Sequence, residues 1–245
     1  MTTLSLNGVS KTYLINDQPV EALAPLHLTI NAGSFVVVVG RSGSGKTTLL
    51  KLISGLEEKT CGDIRFSSAN AKIGMVFQEP RLMPWLTAEE NMALPLLREQ
   101  DQARVRQTVT RHLELLGLEN FRTAYPWQLS GGMAQRVALG RALCCDPDLI
   151  LMDEPLSALD AFTRKKLQNK LVDIFRQETK TILFVTHDVD EAVLLGQRIL
   201  IMEEGRLLDE FEVPLSYPRD TSSREFFDIR ETILRAIIGS DWEEY

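Results

Sequence analysis

The sequence predicts an α/β fold: a mainly parallel sheet covered on both faces, with an antiparallel β region at the N-terminus and a helical insertion. Three observations carry that expectation. Short apolar runs at 35–39, 149–152, 181–186 and 198–202 alternate with stretches of helical period, as in sheets whose strands are buried on both sides. The first run leads directly into Gly40 to Thr47, GRSGSGKT, which matches G-x-x-x-x-G-K-[ST], a pattern built between a strand and a helix. From 79 to about 129 the character changes: Pro80, Pro84 and Pro95 punctuate the chain, and 102–116 has a clear helical period.

Taken in order, the segments 4–9 and 26–30 form a β-rich edge that ends at the turn Asn31-Ala32-Gly33. After the glycine loop, Leu49, Leu50, Leu52 and Ile53 stand at helical spacing in 48–56, with Gly55 near the end. Strands are expected at 63–66 and 72–77, and the helical insertion occupies about 79–145. Its last helix opens at Ser130 and runs through Arg136 and Arg141 toward Cys145. A strand at 149–152, a helix at 161–178, strands at 181–186 and 198–202, and a short helix within 222–239 complete the expectation. Residues 1–240 read as one domain and 241–245 as a tail.

Composition sets limits on function. With 245 residues, 44% of them hydrophobic, the chain can bury a sizeable core. Its apolar runs fall far short of the roughly 20 residues that cross a bilayer. The start MTTLSLNGVSKTY has no basic segment leading into a long apolar stretch, so no secretory signal is expected. Twenty-seven basic against 34 acidic residues leave a net charge of −7, which offers no overall attraction to nucleic acid. Cys61, Cys144 and Cys145 have neither disulfide-framework nor zinc spacing and read as reduced, packing thiols.

The glycine loop carries the first chemistry. Such a loop turns backbone N–H groups toward the phosphates of a nucleotide, and the helix behind it adds its positive end. Gly40, Arg41, Ser42, Gly43, Ser44, Gly45, Lys46, Thr47 and Thr48 are the contact candidates, with Gly43 and Gly45 permitting close backbone approach. Lys46 would reach the β- and γ-phosphates, and the Thr47 hydroxyl would ligate Mg²⁺. The strand LILMDE then ends in two carboxylates. Asp153 is placed to hold Mg²⁺ and Glu154 to polarise a water attacking the γ-phosphate. Ser130 serves as an N-cap, but Gly131 and Gly132 beside it bare N–H groups that suit an anion, most usefully on a nucleotide held by another subunit.

GRSGSGKT, LSGG, LILMDEP, SALD and a histidine after an apolar strand occur in that order, and nearly the whole chain resembles the ATP-binding subunit of an ABC transporter. The resemblance implies a P-loop NTPase core of the ABC ATPase kind and a head-to-tail dimer sandwiching two ATP molecules with Mg²⁺. Ser130, Gly131 and Gly132 would then meet the γ-phosphate on the opposite subunit. Met133 stands where the family often has glutamine, which leaves the anion-binding part intact. By the same resemblance Gln78 reaches Mg²⁺ and the attacking water, Tyr13 stacks on adenine, and His187 orients water and γ-phosphate. Ser157 to Asp160 would cross the dimer interface, with Asp160 also capping the next helix.

The segments VFQEPRLMPW, SALDAFTR and THDVDEAV are similar to the subgroup serving nitrate, sulfonate and taurine importers. That implies integral-membrane permease subunits, a soluble solute-binding protein, and a peripheral position on the cytoplasmic face of the inner membrane. An alternative is a soluble ABC ATPase acting on ribosomes or nucleic acid without a permease, but no long coiled-coil insertion is visible. A phosphate-loop GTPase is disfavoured because Asn169-Lys170 is followed by Leu171 and Val172, which breaks the guanine-reading pattern N-K-x-D.

Overall fold

The computed structural model describes residues 1–178 and 180–239; the expected tail at 241–245 lies outside them. Strands β1 (Leu4–Ile15), β2 (Gln18–Ile30) and β4 (Cys61–Phe66) form an antiparallel sheet in the order β2-β1-β4. The first two run well beyond the expected 4–9 and 26–30. They join through Asn16 and Asp17, which hold the left-handed backbone that a tight hairpin demands.

The main sheet is built from β3 (Phe35–Val39), β5 (Ile73–Val76), β6 (Leu149–Asp153), β7 (Thr181–Thr186), β8 (Arg198–Glu203) and β9 (Arg206–Glu212), in the order β5-β6-β7-β3-β8-β9. Every pairing from β5 to β8 is parallel. The antiparallel β9 returns beside β8 and was not among the expected strands, because only Leu207 and Phe211 carry an apolar signal at its half-buried positions. Fully buried strands such as FVVVV feed two cores by alternation. Val36, Val38, Leu149 and Leu151 pack toward α1 (Lys46–Ser54) and the antiparallel sheet. Phe35, Val37, Val39, Ile150 and Met152 pack toward the helices of the other face.

Those helices are α2 (Ala88–Ala93), α3 (Gln102–Leu116), α4 (Gly131–Cys144), α5 (Ala161–Glu178), α6 (Val189–Leu195) and α7 (Arg224–Ile238). Thr87 starts α2 with a capping box to Glu90, and Asp101 caps α3. The insertion's helices α2 and α3 pack on α4, where Gly140 lets Met92 and Leu116 approach the helix backbone. Cys144 is buried beside His112, and its thiol is pushed up to about 12 by burial, as an unreactive packing residue should be. All three cysteines are free, Cys61 at the surface. No helix among the described residues is long and apolar enough to cross a membrane.

Candidate functional site

Parallel pairing brings the chemistry together. The register sets Val76 beside Met152, Asp153 beside Val185, and Thr186 beside Val39. The loops leaving β5, β6, β7 and β3 therefore emerge along one edge, where open α/β sheets bind ligands. A cleft of about 360 Å³ opens there, lined by the loop from Ser42 to Thr48 with Ala22, Gln78, Asp153 and Glu154.

The loop's glycines divide their work. Gly45 begins α1 at φ 94°, and a Cβ there would lie 2.7 Å from the Ala22 carbonyl. Gly43, at φ 81°, has nothing within 4 Å of such a Cβ and leaves the mouth of the cleft open. Gly40 is held by its own chain, since a Cβ would fall 2.1 Å from the Met202 carbonyl. No side chain caps α1, so its first N–H groups face an incoming anion. Lys46 folds back over the loop, donating to the carbonyls of Gly40 (2.8 Å) and Arg41 (2.7 Å) and to Ser44 Oγ (3.3 Å). Burial lowers its pKa, against the opposing pull of Glu154 and Asp153.

Thr47 Oγ1 donates to Asp153 Oδ1 at 3.0 Å. Burial raises the Asp153 pKa, with the Thr47 bond working the other way and the Glu154 charge adding to the rise. One carboxylate, one hydroxyl and the Gln78 amide make an all-oxygen donor set, which fits Mg²⁺, an ion that keeps waters and phosphate oxygens in its shell. A dedicated cage of three or more His, Cys, Asp or Glu side chains is absent among the described residues. Gln78 Nε2 donates to Ser157 Oγ at 3.2 Å, and Ser157 Oγ donates to the Glu154 carbonyl at 2.9 Å. Glu154 itself sits at φ 43°, with its N–H bonded to the Val185 carbonyl. That uncommon conformation turns its carboxylate to within 2.9 Å of His187 Nδ1.

A profile of the ABC transporter family matches residues 23–157, more than half of the chain. The chain belongs to the ABC transporter family. It is 43% identical over 240 residues to the aliphatic sulfonates import ATP-binding protein SsuB of Bacillus cereus, covering 95% of each chain. The protein of the same name from Bacillus subtilis is 40% identical over 230 residues, with 91% of this chain and 89% of that one covered. The dimeric ATP-binding cassette MJ0796 bound to ADP and Pi matches with a TM-score of 0.78 at 35% identity, covering 87% of this chain and 100% of that one. CbiO1 of Clostridium perfringens shares the fold, with a TM-score of 0.79 at 23% identity and coverage of 98% and 96%. The expected ABC ATPase fold is thus present, and ATP is its nucleotide.

The other candidate residues of this ABC ATPase, Thr48 excepted, stand outside the cleft. Ser130 Oγ accepts from the Met133 N–H at 3.3 Å and caps α4. Gly131 faces open space, whereas a Cβ on Gly132 would meet Thr163 Cγ2 of α5 at 2.2 Å. Gly132 therefore has a packing reason within its own chain that the motif alone does not disclose. Met133 packs partly buried against the same core. Asp160 Oδ1 accepts from the N–H groups of Phe162 and Thr163 at 3.1 and 3.0 Å, so it caps α5. Tyr13 pairs with Val20 on the hairpin and lies under Lys11 Nζ at 4.7 Å, off the cleft wall. Arg41 is exposed and contributes its carbonyl, and Thr48 lines the cleft. Sequence reasoning missed Ala22, which β2 carries to the cleft through the bond from the Ala24 N–H to the Gly205 carbonyl; an alanine carries no chemical signal.

Proposed function

We propose that this chain is the ATP-hydrolysing subunit of an importer of small anionic solutes, sulfonates first among them, working as a head-to-tail pair beneath a separate membrane permease. The observation that carries the reading is one cleft joining the Thr47–Asp153 pair, the Glu154–His187 pair and the loop around Lys46. Sulfonate rather than another anion is favoured by the relatives above 40% identity that are named for sulfonate import.

In this mechanism the N–H groups of the loop and the Lys46 ammonium hold the β- and γ-phosphates. Lys46 exchanges its present carbonyl partners for phosphate oxygens. Thr47, Asp153 and Gln78 would hold Mg²⁺, which when bound would supply positive charge to offset that developing on the phosphate oxygens. Glu154 polarises the attacking water, His187 orients water and γ-phosphate, and Tyr13 stacks on adenine. Ser130, Gly131 and Gly132 complete the site of the partner subunit, with Asp160 at the seam. The loop after Gln78 meets the permease at the cytoplasmic face of the inner membrane. Trp85 is 69% exposed there, and Asn91 ties the loop through the Met83 and Leu86 backbone. A soluble solute-binding protein delivers the solute from the far side.

Reconstitution tests this reading. The chain is co-expressed with its cognate permease, and uptake of ethanesulfonate, taurine and nitrate into ATP-loaded vesicles is measured with the cognate binding protein. ATP-dependent sulfonate uptake is expected. Hydrolysis stimulated by ribosomes or DNA, with no uptake of any of the three anions, would overturn the assignment.

A further inference from the structure

Behind His187 lies a buried polar network that the site described above does not use. Thr186, the last residue of β7, donates from Oγ1 to Glu191 Oε2 at 2.8 Å and accepts from the Asp188 N–H at 3.0 Å. One hydroxyl thus staples the two neighbours of His187, and Glu191, on α6 and 5% exposed, fixes that hydroxyl. The other oxygen of Glu191 accepts from Gln168 Nε2 at a long 3.4 Å and stands 3.8 Å from Arg164 Nε on α5. That Nε is buried and has no hydrogen-bond partner, the one such side-chain atom among the described residues. The same guanidinium donates from Nη2 to the Leu159 carbonyl at 3.1 Å, and its Nη1 is 3.8 Å from Asp188 Oδ2.

A buried N–H and a buried carboxylate oxygen face each other across a gap about 0.9 Å longer than an ordinary N–H···O bond. Each is left under-satisfied, and a buried donor without an acceptor costs free energy that a small shift would recover. Arg164 hangs from the Leu159 carbonyl, so the segment Ser157 to Asp160 governs whether the gap closes. The path from Leu159 to Arg164, Glu191, Thr186 and His187 is hydrogen-bonded except at that one gap, and it runs between the expected subunit seam and the Glu154–His187 pair.

We infer that Arg164 is a positioning residue for hydrolysis: when the segment around Leu159 is engaged by a second copy of this chain, Arg164 closes onto Glu191 and fixes the backbone on either side of His187, so that its ring is set for the γ-phosphate. The inference rests on the dimeric ATPase reading. Arg164 does not line the cleft and acts through His187.

The test uses the full chain with Mg·ATP. Wild-type turnover, and its loss in Glu154→Gln, establish the ATPase reading independently of any role for Arg164. Arg164→Gln is expected to lower kcat at least tenfold, since sub-ångström to ångström misplacement costs up to about 10²-fold, with the affinity for ATP unchanged. Arg164→Lys keeps the charge but replaces the planar fork, whose Nη2 and Nε face Leu159 and Glu191 separately, with a single nitrogen, so it should recover only part of the rate. In the His187→Ala background, adding Arg164→Gln should cost nothing further. An equal loss in that background, or a loss confined to ATP affinity, would overturn the proposal. A readout independent of turnover comes from the imidazole resonances of the three histidines with a non-hydrolysable ATP analogue bound. Arg164→Gln should shift those of His187 and leave His27 and His112 in place; an unmoved His187 would also overturn it.

Discussion

His187 Nδ1 lies 2.9 Å from Glu154 Oε2, so the two residues proposed to handle the attacking water already touch each other in the single chain. A neutral imidazole has one N–H; once Nδ1 donates to the carboxylate, Nε2 can only accept. Donation to a γ-phosphate then requires that the ring leave Glu154 or carry both protons. Glu154 is held at this place by its backbone bond to the Val185 carbonyl, so the ring, 59% exposed in its side chain, is the part free to turn.

Glu154→Gln keeps the shape and an acceptor oxygen but removes the charge. ATP should still bind and close the dimer, while hydrolysis falls by about 10²- to 10⁴-fold, the usual cost of a lost general base. Gel filtration with ATP and a phosphate-release assay check both halves. His187→Ala should also slow turnover, with looser closure, because it removes a phosphate donor. Near-normal hydrolysis by Glu154→Gln would show that another group activates the water.

Lys46→Ala should abolish measurable ATP binding in titration calorimetry. Its ammonium, now bonded to the Gly40 and Arg41 carbonyls and Ser44 Oγ, is the cation folded over the loop, whereas Arg41, the loop's other cation, is exposed. Unchanged turnover in a clean preparation would reject the site.

Gly131 and Gly132 should respond differently to substitution. Gly132→Ala forces a methyl to 2.2 Å from Thr163 Cγ2, and overpacking of this kind costs about 1–3 kcal/mol. Its melting temperature should fall in the isolated chain, and Thr163→Ser, which removes Cγ2, should restore it. Gly131→Asp should leave the melting temperature in place and remove ATP-driven dimerisation. Mixing Gly131→Asp with Lys46→Ala chains should return partial activity, because one composite site keeps both Lys46 and Gly131. No recovery in a mixture shown to contain mixed dimers would exclude the head-to-tail sandwich.

Asp153→Asn should stabilise the nucleotide-free chain at neutral pH while suppressing hydrolysis. Burial raises the folded-state pKa of Asp153 above its unfolded value, so the folded state binds the proton more readily and loses stability as pH rises through the interval between the two. Neutral asparagine carries no such cost. Melting curves should show the variant ahead at pH 7, with the advantage shrinking as pH falls toward about 4, the ordinary carboxylate range. A constant difference across that window would place its origin elsewhere.

Thiol labelling checks the packing. Cys61, exposed on β4, should react with maleimide in the native chain, and Cys144, whose thiol is held up to about 12 by burial, should react only after unfolding. Fast native labelling of Cys144 would mean that the contact between α3 and α4 opens readily.

The chain order of residues determined a good deal by itself. Helix α3 and strand β7 fall at the expected 102–116 and 181–186 because an apolar period of 3.6 and near-continuous burial are local properties. The loop Gly40 to Thr47 is legible because strand, glycines, lysine and hydroxyl must be contiguous to work. Helix α2 is too short to show a period, although its capping box, Thr87 with Glu90, is written in the sequence. What the tertiary structure alone decided is adjacency. That β7 lies between β6 and β3 puts His187 beside Glu154 and the loop, yet no local pattern encodes which buried strands become neighbours. The same holds for Thr163 filling the space over Gly132 and for Arg164 facing Glu191. A side chain's hydrophobicity specifies that it will be buried; the partner it meets depends on how distant segments pack, and only the folded chain fixes that.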